Sequence, residues 1–580
     1  MTRITAIELE NFQSIERRTR IDLKPITLLF GPNSAGKSAV FDALELLRTL
    51  LDPTLFNEAK ATDMVDRWAR RKGGEPVRET FLAVEFPFEF EDVDELWIED
   101  ANWLGNLNRT DMAEFHLDYE NDVVQNGLAG ATVRIELKLK VINNKYSTLC
   151  KFSEYRCLIK DKPILTLAKT NPLECDSEKL ALRSGDDDDW CRWLSIYCKF
   201  GFISSSLMVD LLDMPEEEKC DLILVGSEFE ERVQTGVISM GLSPLTISPD
   251  PLLEEIESRD SSSRICRNAS NILFYFGTLL FRDLRAQPGI VTSDRRAPRP
   301  NEALAVVDLG LGGWWSRHTF SPSSSASLLM TGPTGLDEHF QGLAEIAHAD
   351  LLVRAASDEF WGDGVAAKLV EPIRDGARAF ERVNHHLEKN LFTEKLYRLS
   401  CASSLMVPID LTENNPWSYY ALAQPATVRL FLEGGDGQKV ELQDVGSGIP
   451  FVLPILYVVA RQGFVKIQQP ELHLHPALQS SLGDVFVEEF NRSGAGQFLI
   501  ETHSEHILSR LLRRIRDTET DKCLSYDMKL TVKDVAVYYF DPQFVGGTVV
   551  TQELVTPLGG IFTDWVPRFF SDRNTDLSDD

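Results

Sequence analysis

Ile26-Thr27-Leu28-Leu29-Phe30-Gly31-Pro32-Asn33-Ser34-Ala35-Gly36-Lys37-Ser38 is the stretch that decides how this chain is read. Its first five residues are apolar or β-branched, as in a strand covered on both faces. The next eight, Gly31, Pro32, Asn33, Ser34, Ala35, Gly36, Lys37 and Ser38, fit G-x-x-x-x-G-K-[ST]. Beyond them Val40, Leu44, Leu47 and Leu51 fall at helical spacing. Strand, glycine turn and helix in that order is the context in which such a loop cradles phosphate. The glycines let the backbone curl, and inward N–H groups with the helix N-terminus supply positive potential. Lys37 is expected to reach the β- and γ-phosphates of ATP, and the Ser38 hydroxyl to ligate Mg²⁺.

Working outward, the preceding residues read as strands, with alternation over Ile4-Thr5-Ala6-Ile7-Glu8-Leu9. Segments near 80–90 and 131–169 are β-rich, as in Thr132-Val133-Arg134-Ile135-Glu136-Leu137-Lys138-Leu139. From about 190 to 400 the pattern is mainly helical, with loops at Asp186 to Asp189 and Ser321-Pro322-Ser323-Ser324-Ser325. No sustained heptads predict a coiled-coil arm. From 426 to 550 strands and helices alternate again. The expected fold is α/β: an ATPase head with a mixed β-sheet and an antiparallel β subdomain, interrupted by a large mainly helical insertion. The expected divisions are 1–170, 171–424, 425–550 and an aromatic, then acidic, tail over 551–580.

Composition narrows the function classes. The chain has 580 residues, 43% hydrophobic and 26% charged, enough for a sizeable core. A net charge of -29 opposes a general DNA-coating surface. Basic spots remain at Arg67, Arg70, Arg71 and Lys72, at Arg295, Arg296 and Arg299, and at Arg513, Arg514 and Arg516. Nine cysteines without a CxxC pair read as reduced thiols. The longest apolar stretch, Ile449 to Ala460, is too short to span a bilayer, and the first residues carry no apolar signal core. A cytoplasmic location with no membrane partner is expected.

The C-terminal region carries the rest of the site. Asp444-Val445-Gly446-Ser447-Gly448-Ile449 precedes an apolar helix and resembles the signature loop of ABC-type ATPases, in which a Ser and a Gly backbone bind the γ-phosphate held by the opposite subunit. Phe464-Val465-Lys466-Ile467-Gln468-Gln469-Pro470-Glu471-Leu472-His473-Leu474-His475-Pro476 resembles the Walker B strand of RecF/OLD-like members. Phe498-Leu499-Ile500-Glu501-Thr502-His503-Ser504 resembles their switch strand, where His503 would sense the γ-phosphate. Glu10-Asn11-Phe12-Gln13-Ser14 is similar to their opening motif. The order of these motifs, with a large insertion after the phosphate loop, is that of SMC, RecF and OLD-type heads. The resemblance covers about 1–50 and 425–570 well and the middle only loosely.

One departure stands out. Gln468 occupies the Mg²⁺-ligand position and Gln469 the position often filled by a catalytic Glu. An amide holds Mg²⁺ less strongly than a carboxylate and cannot act as a general base. Three readings are open: slow hydrolysis, Glu471 supplying the missing acid, or Gln468 as a Glu→Gln substitution that traps bound ATP. The motifs explain the histidines at 473, 475 and 503. His506 lies three residues past His503 at a strand end with no cysteine beside it, so a zinc site is not expected. His385-His386 reads as a polar helix face.

The resemblance implies two heads sandwiching two nucleotides, Lys37 and Ser38 of one copy facing Ser447 and Gly448 of the other. It implies a homodimer or higher homo-oligomer. Fewer than 80 residues follow the switch strand, so a built-in TOPRIM nuclease is not expected. The chain is similar to the ATPase subunits of bacterial anti-phage systems such as Septu and PARIS, whose nuclease or toxin is a separate chain. That similarity implies a sensor and scaffold controlling an effector. A RecF-like repair ATPase acting on DNA and an inert head using ATP for assembly are the alternatives.

Overall fold

The computed structural model describes residues 4–51, 58–68, 71–72, 75–76, 79–87, 131–144, 147–159, 161–169, 180–183, 238–239, 248–249, 291–292, 304–306, 338–356, 370–394, 396–404, 426–446, 448–461, 463–493, 496–522, 525–543 and 547–562. In chain order the main elements begin with strands β1 (Ala6–Glu10), β2 (Thr19–Asp22) and β3 (Ile26–Phe30), then helices α1 (Ser38–Leu51) and α2 (Glu58–Trp68). Strands β4 (Thr80–Pro87), β5 (Thr132–Asn144), β6 (Ser147–Ile159), β7 (Lys162–Lys169), β8 (Leu180–Arg183) and β9 (Leu304–Val306) follow. Next come α3 (Glu338–Ala356), α4 (Val370–His386), β10 (Arg398–Ser404), β11 (Ala426–Glu433) and β12 (Lys439–Glu441). The last are α5 (Gly448–Arg461), β13 (Phe464–Gln468), α6 (Pro476–Ser493), β14 (Gln497–Glu501), α7 (Glu505–Glu519), β15 (Val535–Pro542), β16 (Thr548–Val555) and β17 (Ile561–Phe562).

The chain divides into two compact units, one of residues 1–22, 33–283 and 541–549, the other of 23–32, 284–540 and 550–580. The first is built on a seven-stranded sheet in the order β8-β7-β6-β5-β4-β1-β2. Every pairing in it is antiparallel. On β1, β4 and β5 the register sets Glu8, Glu85 and Arg134 on neighbouring strands. Arg134 bridges both carboxylates, and Arg20 grips Glu85 at 2.5 and 2.6 Å. Burial alone would raise both carboxyls, but these guanidinium groups hold Glu8 and Glu85 below the ordinary glutamate range. Cross-strand pairs of this kind pin the register that alternation leaves open. Helix α1 belongs to the same unit. Val40, Leu44, Leu47 and Leu51 are all buried, as their spacing requires.

The second unit is organised on the sheet β13-β14-β3-β15-β16-β17. Here β13, β14, β3 and β15 run parallel. Strand β3 is buried at every position because it has a strand on each side and helices are available to cover its faces. Its Leu28 and Phe30 share a core with Ile467, Ile500, Val537 and the α5 residues Val452, Leu453 and Leu456. Val291 closes the edge of β13 as a parallel bridge, donating to Lys466 O at 3.0 Å and accepting from Gln468 N at 2.8 Å. A smaller antiparallel sheet pairs β11 with β9, β10 and β12. Helix α4 packs on α3 and on α5. Among the described residues no helix is long and apolar enough to cross a membrane.

Candidate active site

The phosphate loop leaves β3 and enters α1, and its backbone explains its glycines. Gly31 has φ of +147°, and a side chain there would meet Phe540 O at 2.5 Å. Gly36 has φ of +87°, and a side chain there would meet Ser14 Oγ at 1.8 Å. Ser34 also takes a positive φ, +63°. Such a succession of right- and left-handed residues aims consecutive N–H groups into one concavity. The first turn of α1 starts with Ala39 N donating to Gly36 O at 3.1 Å and Val40 N to Lys37 O at 3.3 Å. Lys37 is buried.

The back of the loop is braced by a residue that sequence reading missed. Thr548 donates its hydroxyl to Ala35 O at 2.7 Å and its N–H to Ser14 O at 2.8 Å. It sits more than 500 positions from the loop, and no local pattern marks it. Ser14 belongs to the opening motif, and its neighbour Gln13 hydrogen-bonds Asp42 Oδ2 on α1 at 2.6 Å. Burial pushes the Asp42 carboxyl up, against the opposing bond from Gln13.

In the other unit, parallel pairing aligns the strand ends. Gln468 sits opposite Glu501 across β13 and β14, and Glu501 sits opposite Leu29 across β14 and β3. The residues just past β13 and β14, and the start of the phosphate loop at Gly31, therefore share the carboxyl edge of one sheet. That edge is where open α/β sheets place ligands. Gln468 and Gln469 are half-buried there. Gln469 has φ of +46° and donates its N–H to Glu501 O at 2.7 Å.

Glu471 adds a carboxylate to this edge, beside Glu501 at the end of β14. It accepts from Thr502 Oγ1 at 2.7 Å and from His503 N at 2.7 Å, one bond to each oxygen. The turn after β13 is thereby latched to the segment after β14. Ser504 extends the latch. It caps α7 by accepting from Ile507 N at 3.2 Å and bonds Gln479 Oε1 at 2.6 Å. Gln479 in turn donates to Leu474 O at 2.9 Å, back in the turn after β13. Both oxygens of Glu471 are thus occupied by hydrogen-bond donors.

Gly448 opens α5 against the backbone of His473, and the Phe451 and His473 rings lie 4.2 Å apart between centroids. His473 has φ of +62° and is exposed. The signature serine, Ser447, lies outside the described residues. In the second unit the structure thus brings together Gly31, Gln468, Gln469, Glu471, His503 and Gly448 on neighbouring strand ends and turns. Asn33 to Ser38 belong to the first unit.

One expectation is corrected. His386 is no polar helix face but a fully buried residue, bonded through Nε2 to Glu489 at 2.8 Å. Its neighbour His385 is partly exposed and meets Glu488 at 2.7 Å. A π-helical turn over Leu387–Leu391 brings Asn390 to Glu488 Oε2 at 2.9 Å. The basic spot at 513–516 is largely spent, with Arg514 on Asp484 at 2.8 and 2.9 Å and Arg513 on Asp517 at 3.5 Å.

Two family models match the chain. Residues 3–181 match the model described as "AAA ATPase domain". Residues 364–509 match the model described as "AAA domain, putative AbiEii toxin, Type IV TA system". No curated protein matches. Among solved structures, an SMC head bound to the C-winged helix domain of ScpA is similar over 95% of this chain and 97% of that one, with 11% identity and a TM-score of 0.37. The Pyrococcus furiosus SMC head bound to the C-terminal domain of ScpA is similar over 95% of this chain and 96% of that one, with 12% identity and a TM-score of 0.34. The Thermotoga maritima SMC head is similar over 95% and 98%, with 9% identity and a TM-score of 0.31. The chain is similar to AAA-type ATPase domains over the two matched stretches. Its two ATPase-domain matches fall on the stretches that carry the phosphate loop and the Walker B and switch strands.

Proposed function

We propose that this ATPase works as a slow nucleotide switch. Two copies pair through their ATP sites, and the pairing controls a separate effector protein, a nuclease or toxin, in bacterial defence against phage. The observation that carries the slow switch is the state of the sheet edge. Amides stand at Gln468 and Gln469, and the nearby carboxylate, Glu471, is held by Thr502 and His503. The toxin and Type IV TA wording of the second domain match supports the effector part, as does the resemblance to stand-alone anti-phage ATPases.

In this reading the N–H groups of Gly31 to Lys37 grip the β- and γ-phosphates, with Lys37 adding a point charge. Ser447 and the N–H of Gly448, at the start of α5, take the γ-phosphate from the second copy. His503 hydrogen-bonds the γ-phosphate and reports its presence through its backbone bond to Glu471. Ser38, the phosphate-loop residue expected to hold Mg²⁺, offers a neutral hydroxyl oxygen, which fits an ion carried in on the nucleotide's phosphates rather than a resident one. Bound there, Mg²⁺ would neutralise charge on the β- and γ-oxygens. Gln469 orients water without accepting its proton, which slows hydrolysis and prolongs the paired state.

The test is light scattering with a non-hydrolysable ATP analogue. The wild-type chain should pair, and Ser447→Arg should bind the analogue but stay single. Pairing that survives Ser447→Arg removes the composite site. Co-purification with the product of a neighbouring nuclease or toxin gene supports the effector. Tight, salt-dependent DNA binding by the isolated chain would favour a repair role instead.

A further inference from the structure

A cavity of about 720 Å³ opens beside α3, α4 and α6, away from the carboxyl edge of the parallel sheet. Arg374, Arg378 and Arg382 line it from α4, four residues apart and so on one helix face, and Arg492 lines it from α6. The carboxylates among its lining residues are Asp350 and Glu381. Glu381 is already claimed by Arg398, at 2.7 and 2.9 Å. Arg492 is tied to Glu488 at 2.9 Å, and Arg378 to Asp375 at 2.8 Å.

Arg382 differs from the others. It is half-buried, and its Nε is buried without a hydrogen bond. Burial pushes the guanidinium below its ordinary value, with the field of Glu489 as the opposing influence. Glu489 Oε1 is shared between His386 Nε2 at 2.8 Å and Arg492 Nε at 3.5 Å. A guanidinium desolvated without a bonded anion is costly, and an incoming anion would repay that cost.

The same region holds a cluster with the makings of a cation site, since His385, His386 and Glu488 place ligand atoms within 4.8 Å of one another. Charge decides against a cation. Glu488 is already bonded to His385, Asn390 and Arg492. A divalent ion there would also face Arg382 and Arg492. The unspent charge of the region is positive.

We propose that this cavity binds a small ligand bearing phosphate groups, of about nucleotide size, with the half-buried Arg382 as its inner anchor and Arg374 as its outer contact. Guanidinium groups bind phosphate oxygens bidentately, which suits a ladder of arginines better than a single point charge would. The volume lies within the range of small-molecule pockets. A long nucleic acid is disfavoured by the net charge of -29.

The experiment uses the full chain carrying Lys37→Ala, so that the phosphate loop is silenced, and titrates sodium tripolyphosphate by calorimetry at low salt. One saturable site is expected. Arg382→Gln and, separately, the exposed Arg374→Gln should each weaken it by about tenfold. Arg382→Gln should leave the melting temperature unchanged or raised. Were it to misfold, Arg374→Gln alone decides. No saturable binding, or binding indifferent to both substitutions, overturns the proposal. A single-stranded oligonucleotide that binds through Arg382 where tripolyphosphate does not would replace the small ligand with nucleic acid.

Discussion

The phosphate loop and the end of β13 differ in how fully each carries the groups its motif calls for. In the loop every expected group is present: the two glycines stand where no side chain fits, and Lys37 and Ser38 follow them. At the end of β13 the expected charges are absent from the strand itself, and Glu471, just past it, is held by Thr502 and His503. Gripping a triphosphate needs a shaped backbone and a cation. Cleaving it needs a base and a well-held metal ion. In the proposed switch the first set is complete and the second blunted, so that the bound state lasts.

The largest effect should follow from attacking the complete half. Lys37→Ala is expected to weaken ATP binding by about 100-fold or more, read by calorimetry. An unchanged affinity would dissolve the contrast between the two regions. Next in size is repair of the blunted half. Gln469→Glu is expected to raise steady-state turnover by about 100-fold, the worth of a positioned general base. Gln468→Glu should add less, through tighter Mg²⁺ binding. Turnover that stays flat in Gln469→Glu but collapses in Glu471→Gln would show that Glu471 is the base and not the latch.

Smaller effects test the scaffolding. Burial alone would raise the Glu488 carboxyl, but the Asn390 amide, the two histidines and Arg492 hold it below the ordinary glutamate range. Its folded value being depressed, it stabilises the fold at neutral pH, and that contribution fades as pH falls through the lowered value. Glu488→Gln should cost about 2 kcal/mol at neutral pH and flatten the acid side of the melting curve. Equal acid sensitivity in the two proteins would contradict the assignment. Thr548→Val should cost about 1 kcal/mol and weaken ATP binding only a few-fold, since the hydroxyl braces the loop without touching phosphate.

How much of this was legible depended on distance along the chain. The buried strand at 26–30, the loop and the α1 face are set by neighbours within a turn or two, and they read directly. The Walker B and switch segments were also legible as motifs, but their joining through Glu471, Thr502 and His503 requires the parallel pairing of β13 with β14. Thr548 was illegible because a lone threonine in a strand looks like any other. His386 was misread for a related reason. Polarity suggested an exposed face, whereas Glu489, 103 residues later, makes burial tolerable by completing the hydrogen bond. The π-helical turn after it left no mark in the residue pattern.

The most direct measurement is a paired one on purified full-length chain, ATP affinity beside steady-state ATP turnover, for the wild type and Gln469→Glu. The account predicts near-equal affinity in the two proteins and turnover that is slow in the first and about 100-fold faster in the second. Equally fast turnover in both would contradict it, because the amides at the end of β13 would then have no bearing on hydrolysis.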